Sequence, residues 1–126
     1  MIQGRINYIY FMAYNEYLQE RIETVLNEKK IRFEARKMMG GLCFMIDDKM
    51  CIGIINNNLM ARVGRENYEA LIEHEYARPM DFTKRPMKGY LIIAPEGIDY
   101  AVDLEFWIQK CLDFNPLAVA SKKKKK

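Results

Sequence analysis

Residues Leu42–Ile55 limit the possible folds of this chain more than any other stretch. Leu42-Cys43-Phe44-Met45-Ile46 and Lys49-Met50-Cys51-Ile52-Gly53-Ile54-Ile55 flank the pair Asp47-Asp48. Two β-prone runs separated by two turn-forming residues read as a β-hairpin. With a tight turn, Ile46 faces Lys49, Phe44 faces Cys51 and Leu42 faces Gly53. One face then carries Cys43, Met45, Met50, Ile52 and Ile54, and the other carries Leu42, Phe44, Ile46, Cys51 and Ile55. A sheet with one wet side alternates apolar and polar residues, and this hairpin does not. Each face therefore needs a cover. Helices supply one; a further helix, a second copy of the chain or a partner protein supplies the other.

The neighbouring segments provide those helices. Tyr14, Tyr17, Leu18, Ile22, Val25 and Leu26 recur at three- and four-residue spacing, which predicts an amphipathic helix over about residues 14–29. The period then changes to two, with Ile31, Phe33 and Ala35 alternating with Arg32, Glu34 and Arg36 as a half-buried strand. Asn56-Asn57-Asn58 makes a turn, and Leu59 to Val63 alternate as another strand. A short helix follows Gly64, with Tyr68, Leu71 and Ile72 as its buried positions. Ala77 to Lys88 reads as a loop holding Arg-Pro-Met twice, and neither proline suits a central strand. Gly89 to Ala94 is a strand, and Asp99 to Asp113 a last helix. The order is helix, three or four strands, helix, one or two strands, helix. In its simplest count this is α-β(3)-α-β(2)-α, an α+β domain with helices packed on an antiparallel sheet of about five strands.

Composition narrows the setting. At 126 residues the chain suits one domain with its own core. The helical pattern begins just after Met12, so residues 1–12 read as an extension ahead of a domain at 13–117. Residues 118–126 read as a disordered lysine-rich tail. Lys122–Lys126 supply five of the 20 basic residues, which leaves 15 against 17 acidic ones elsewhere. The net charge of +3 is therefore a property of the tail. Such a tail attracts nucleic acid or anionic lipid weakly and in a salt-dependent way, and the folded body adds no specific nucleic-acid surface. Cys43, Cys51 and Cys111 are odd in number and widely spaced, which fits buried thiols in a reducing cytoplasm rather than a disulfide framework or zinc site. No apolar run approaches the roughly 18 residues that cross a bilayer.

Few residues suggest chemistry. Cys51 is the candidate reactive thiol, with Arg62 on the next strand as the cation that would lower its pKa and His74 as the candidate base. That reading makes the chain a thiol-dependent enzyme or a small-ligand binder using Cys51 and Arg62. The plainer reading makes Cys51 a core residue. One histidine and scattered cysteines give no metal-ligand spacing, and no cofactor motif is present: Gly40-Gly41 precedes a strand, where a phosphate loop precedes a helix. The Arg-Pro-Met pair is more informative. Arg78, Asp81, Arg85 and Lys88 concentrate charge on a proline-stiffened loop, with Met80, Phe82 and Met87 beside them. Stiff loops bearing Arg and Met suit protein recognition, because little entropy is lost and thioethers adapt to a partner. Alternatively, Met80 and Phe82 anchor the loop on the core while the arginines face water.

Several blocks together resemble the TfoX/Sxy N-terminal domain family, in particular its short single-domain members. They are Met38-Met39-Gly40-Gly41, Asp47-Asp48-Lys49, Leu59-Met60-Ala61-Arg62-Val63-Gly64, Ala77-Arg78-Pro79-Met80-Asp81-Phe82-Thr83 with Arg85-Pro86-Met87-Lys88-Gly89, and Ala94-Pro95-Glu96-Gly97 with Trp107. The resemblance covers roughly Tyr14 to Leu117. It implies a fold like that of secretion chaperones, often a homodimer, and a bacterial regulator of competence. Such regulators are described as acting on transcription with the cyclic-AMP receptor protein. Met39 and Asp48 replace the aromatic residue and the glycine usual at their positions, and the second domain of the full regulators does not follow. The expected function is a cytoplasmic, non-enzymatic protein-binding domain, with Arg62, Arg78, Met80, Asp81, Arg85, Met87 and Lys88 as contacts.

Overall fold

Asp47 and Asp48 both take positive φ, 54° and 64°. This is the two-residue type I′ geometry, whose twist matches that of the strands it joins. It links β2 (Gly41–Ile46) to β3 (Lys49–Ile55) in the computed structural model, which describes residues 14–38, 40–81 and 87–119. Residues 1–13, Met39, the segment with Phe82 and Arg85, and residues 120–126 of the lysine-rich tail lie outside the described residues, whereas Ala118 and Val119 at the start of that tail are described.

The hairpin departs from the expected register. Ile46 pairs with Lys49, but Phe44 pairs with Ile52 and Leu42 with Ile54, because the register shifts between Phe44 and Met45. Cys51 is the additional residue of a β-bulge. Beyond it the faces exchange. Ile52 and Ile54 join Leu42, Phe44, Ile46 and Cys51, while Ile55 joins Cys43, Met45 and Met50. Where both faces are apolar, a one-residue slip carries no hydrophobic penalty that alternation could reveal. The turn also holds a prediction. Asp48→Gly removes the cost of a side chain at positive φ, and is expected to raise the urea-unfolding free energy by about 0.5–1 kcal/mol at unchanged m-value.

The sheet has six strands in the order β1-β2-β3-β4-β6-β5, with antiparallel pairing throughout. β1 is Glu34–Met38, β4 Asn58–Arg62, β5 Ala77–Pro79 and β6 Tyr90–Ile93. Among the described residues there are three α-helices: α1 (Glu16–Glu28), α2 (Arg65–Leu71) and α3 (Ala101–Phe114). The α+β class stands, with the strands divided four and two about α2. β5 falls in the segment expected to be loop. Pro79 is tolerated there because β5 is an edge strand, where a missing amide breaks no ladder on the free side.

α1 begins where Asn15 caps it, its side chain accepting from the amides of Tyr17 (2.8 Å) and Leu18 (3.1 Å). Leu18, Ile22 and Leu26 form its buried stripe, whereas Tyr17, expected in that stripe, is 70 % exposed. These three residues, with Leu104, Trp107, Ile108 and Cys111 of α3, pack on Phe44, Ile52, Ile54, Leu59 and Leu91 of the sheet. Each fully buried aliphatic or aromatic side chain contributes about 1.5–3 kcal/mol there.

The opposite face is rich in sulfur. Cys43, Met45, Met60, Met80 and Ile92 are buried on it, with Met38, Met50 and Met87 packed against them. It is thus covered within one chain, and a bare sheet face no longer argues for a second copy. The hairpin tip is tied to the end of α3. Asn115 Nδ2 donates to the Ile46 carbonyl (3.2 Å), and Lys49 Nζ donates to the Asn115 carbonyl (2.9 Å).

Candidate functional site

Arg62 closes β4 opposite Tyr90 at the start of β6. Two glycines shape the backbone at that corner. Gly64 leads into α2 at φ 90° and Gly89 leads into β6 at φ 97°. The amides of Val63 (2.8 Å) and Gly64 (3.1 Å) both donate to the Gly89 carbonyl. A Cβ on Gly64 would lie 2.5 Å from the Phe114 ring, so the helix entry fits there only as glycine. The corner brings Arg65 and Lys88 beside Arg62. Together with Tyr90, Phe114, Leu117 and Val119 they line a cleft of about 220 Å3.

Arg62 is the fixed member of this group. Its guanidinium carbon lies 5.3 Å from the Tyr90 ring centre and 5.7 Å from that of Phe114. Nη1 donates to the Met50 carbonyl (3.1 Å) and Nη2 to the Val119 carbonyl (3.4 Å). A guanidinium has five N–H donors, so this arrangement fixes its plane and leaves donors over. Lys88 and Arg65 are exposed. Lys88 reaches Glu69 at 3.9 Å between two largely exposed side chains, an ion pair worth little in water.

The other expected contacts separate. Arg78 and Asp81 face solvent, and Arg85 lies outside the described residues. Met80 is fully buried and Met87 half-buried, both on the sulfur-rich face. The Met87 amide donates to the Met80 carbonyl (2.8 Å), which closes the base of their loop. Met80 is therefore an anchor and offers no free contact surface. Arg65, Tyr90, Phe114, Leu117 and Val119 were not among the residues expected. The one available signal is a cation beside a glycine in both Gly64-Arg65 and Lys88-Gly89.

The thiols sit in surroundings that oppose ionisation. Burial pushes Cys51 up to about 12 from 9.0, the nearby Cys43 adds to this, and Arg62 pulls the other way without overcoming it. Burial likewise pushes Cys43 up to about 11 and Cys111 well above its ordinary value. A nucleophilic cysteine needs the opposite shift. The His74 ring packs on Phe106 (5.3 Å) and Trp107 (5.1 Å), so its ring contacts do not orient it as a base for Cys51. No group of three His, Cys, Asp or Glu among the described residues is arranged to hold a metal ion. No helix among them is long and apolar enough to cross a membrane.

A larger groove, about 540 Å3, runs between α1 and α3 and includes Arg21, Glu28, Lys29 and Glu105. Lys29 and Glu105 bridge it at 3.1 Å, and it carries both signs of charge. The β4–β6 cleft instead presents one sign of charge.

A family model of the TfoX N-terminal domain matches residues 29–115. The match takes in every described strand, α2, α3 and the cleft residues through Phe114, and it starts after α1. No curated protein and no solved structure matches the chain.

Proposed function

The chain belongs to the TfoX N-terminal domain family, and on that premise we propose that it is a small non-enzymatic regulatory domain acting in transcription or competence by binding a protein partner. The observation that supports this reading is the rigid corner between β4 and β6, inside the matched segment. It holds Arg62 between two rings and presents Arg65 and Lys88 to solvent. Rigid display of cations favours recognition, because few side-chain freedoms are lost on binding. The buried, proton-holding thiols agree with a binding role. In this reading the domain works in the cytoplasm, and a homodimer presents two such corners.

The test is a crosslinked, nuclease-treated pull-down of the full chain from its own host, beside an unrelated protein of equal charge. Transcription regulators or RNA polymerase should be enriched with the chain alone. Recovery of only the chain itself, or equal recovery with the control, would overturn the regulatory reading. Sedimentation equilibrium of the same sample should show twice the chain mass.

A further inference from the structure

Outside its tail the chain has 15 basic against 17 acidic residues, so the body as a whole does not draw in a polyanion. The β4–β6 cleft is a local exception. Arg62, Arg65 and Lys88 meet there, and no carboxylate is among the described lining residues. No described residue hydrogen-bonds or ion-pairs with the Arg65 side chain, and the Lys88 pair with Glu69 is long and exposed. Like charges held together repel, and an incoming anion relieves that repulsion.

A second observation indicates which anion. Leu117 and Val119, which complete the cleft, are 74 % and 80 % exposed, the two most exposed large apolar side chains described. Asn115 and the Arg62–Val119 bond fix the backbone that carries them. A phosphate backbone gains nothing from an aliphatic rim. The volume of about 220 Å3 is also below the roughly 300 Å3 at which pockets for whole small molecules begin. It is large enough for a carboxylate side chain and part of its neighbour.

We infer that this cleft is the docking site for an acidic–apolar segment of the partner protein. Carboxylates sit against Arg65 and Lys88, with the remaining Arg62 donors behind them, and an aliphatic or aromatic side chain covers Leu117 and Val119. Glu69 is then displaced from Lys88. The inference rests on the partner-binding reading above.

The experiment is fluorescence anisotropy on the full chain with three labelled probes. These are a short peptide alternating Asp or Glu with Leu or Phe, the same peptide with every Leu and Phe replaced by Ser, and a single-stranded oligodeoxynucleotide of equal charge. Each is repeated with Lys122→Ser through Lys126→Ser, which removes attraction by the tail. The acidic–apolar peptide should bind most tightly. Arg65→Glu with Lys88→Glu should weaken it by about tenfold or more, and Leu117→Ser by a smaller factor, with the far-ultraviolet circular dichroism unchanged. The polar peptide and the oligonucleotide should bind weakly and lose most binding with the tail.

Two results would overturn the inference. One is peptide affinity unaffected by the charge reversals. The other is tighter oligonucleotide binding that persists without the tail and falls with Arg65→Glu, which would assign the cleft to nucleic acid. A regulator captured equally well by the Arg65→Glu, Lys88→Glu chain would leave the regulatory reading intact and remove only the cleft. Peptide binding at the cleft without any captured regulator would do the reverse.

Discussion

Gly64→Ala is expected to lower the unfolding free energy by about 2–6 kcal/mol. Two costs combine at this residue. Its φ of 90° and ψ of 153° lie where an L side chain is strained, at a cost of about 1–3 kcal/mol. The added carbon would also lie 2.5 and 2.6 Å from two carbons of the Phe114 ring. That ring is held on its own side by α3 and by the Arg62 guanidinium, so relief requires moving a helix end, at a further cost of about 1–3 kcal/mol. Urea unfolding measures the sum. Gly40→Ala is the matched comparison, since Gly40 has φ 75° with nothing within 4 Å of a built Cβ. It should show the conformational cost alone. Equal losses at the two positions would mean that the Phe114 ring swings aside freely. In that event the corner is softer than described, and Phe114→Leu would not rescue Gly64→Ala.

Stability should also fall steeply above pH 9, by about 3 kcal/mol for the first pH unit if all three thiols contribute. Cys43 is raised from 9.0 to about 11, Cys51 from 9.0 to about 12, and Cys111 well above 9.0, in each case chiefly by burial. Above pH 9 the unfolded chain gives up these protons while the native chain keeps them. The native state then binds more protons, and stability must decline as pH rises. The contribution is fully present below pH 9.0 and is lost as pH passes through the folded values. Each thiol's slope approaches about 1.4 kcal/mol per pH unit once the unfolded thiol is mostly ionised. The decisive quantity is the slope of Cys51→Ala against that of the parent under reducing conditions. The variant should lose about a third of the thiol slope. Identical slopes would show that Cys51 meets solvent more readily than its burial indicates.

The local features were legible from residue order. The Leu18, Ile22, Leu26 stripe, the two-residue turn and the short helix after Gly64 each depend on neighbours within a few positions. Three features were not legible, for separate reasons. The bulge at Cys51 was hidden because alternation carries no information when both faces are apolar. β5 was hidden because Pro79 argues for loop until the strand is known to lie at an edge. The role of Met80 was undecided because a methionine beside a proline serves equally as an anchor or as a contact; only its complete burial decides it. The candidate site shows the same limit. Arg62 and Lys88 could be named singly, but their meeting depends on β6 lying between β4 and β5. Arg65 gained interest only once that order placed it on the same cleft.

The strand order also bears on how the protein comes into being. β1 through β4 form a meander of neighbours in sequence, whose pairings close short loops. β6 reaches β4 only after α2 and β5 have been passed over, with Leu59 meeting Ile93, and closing so long a loop costs more chain entropy. Tyr90 sits on the late-arriving strand with Lys88 just ahead of it, while Arg62 and Arg65 belong to the side that waits for it. No nascent or partly paired chain therefore possesses the cleft. A molecule that occupies it binds the finished fold alone and, by mass action, raises the melting temperature of the whole domain.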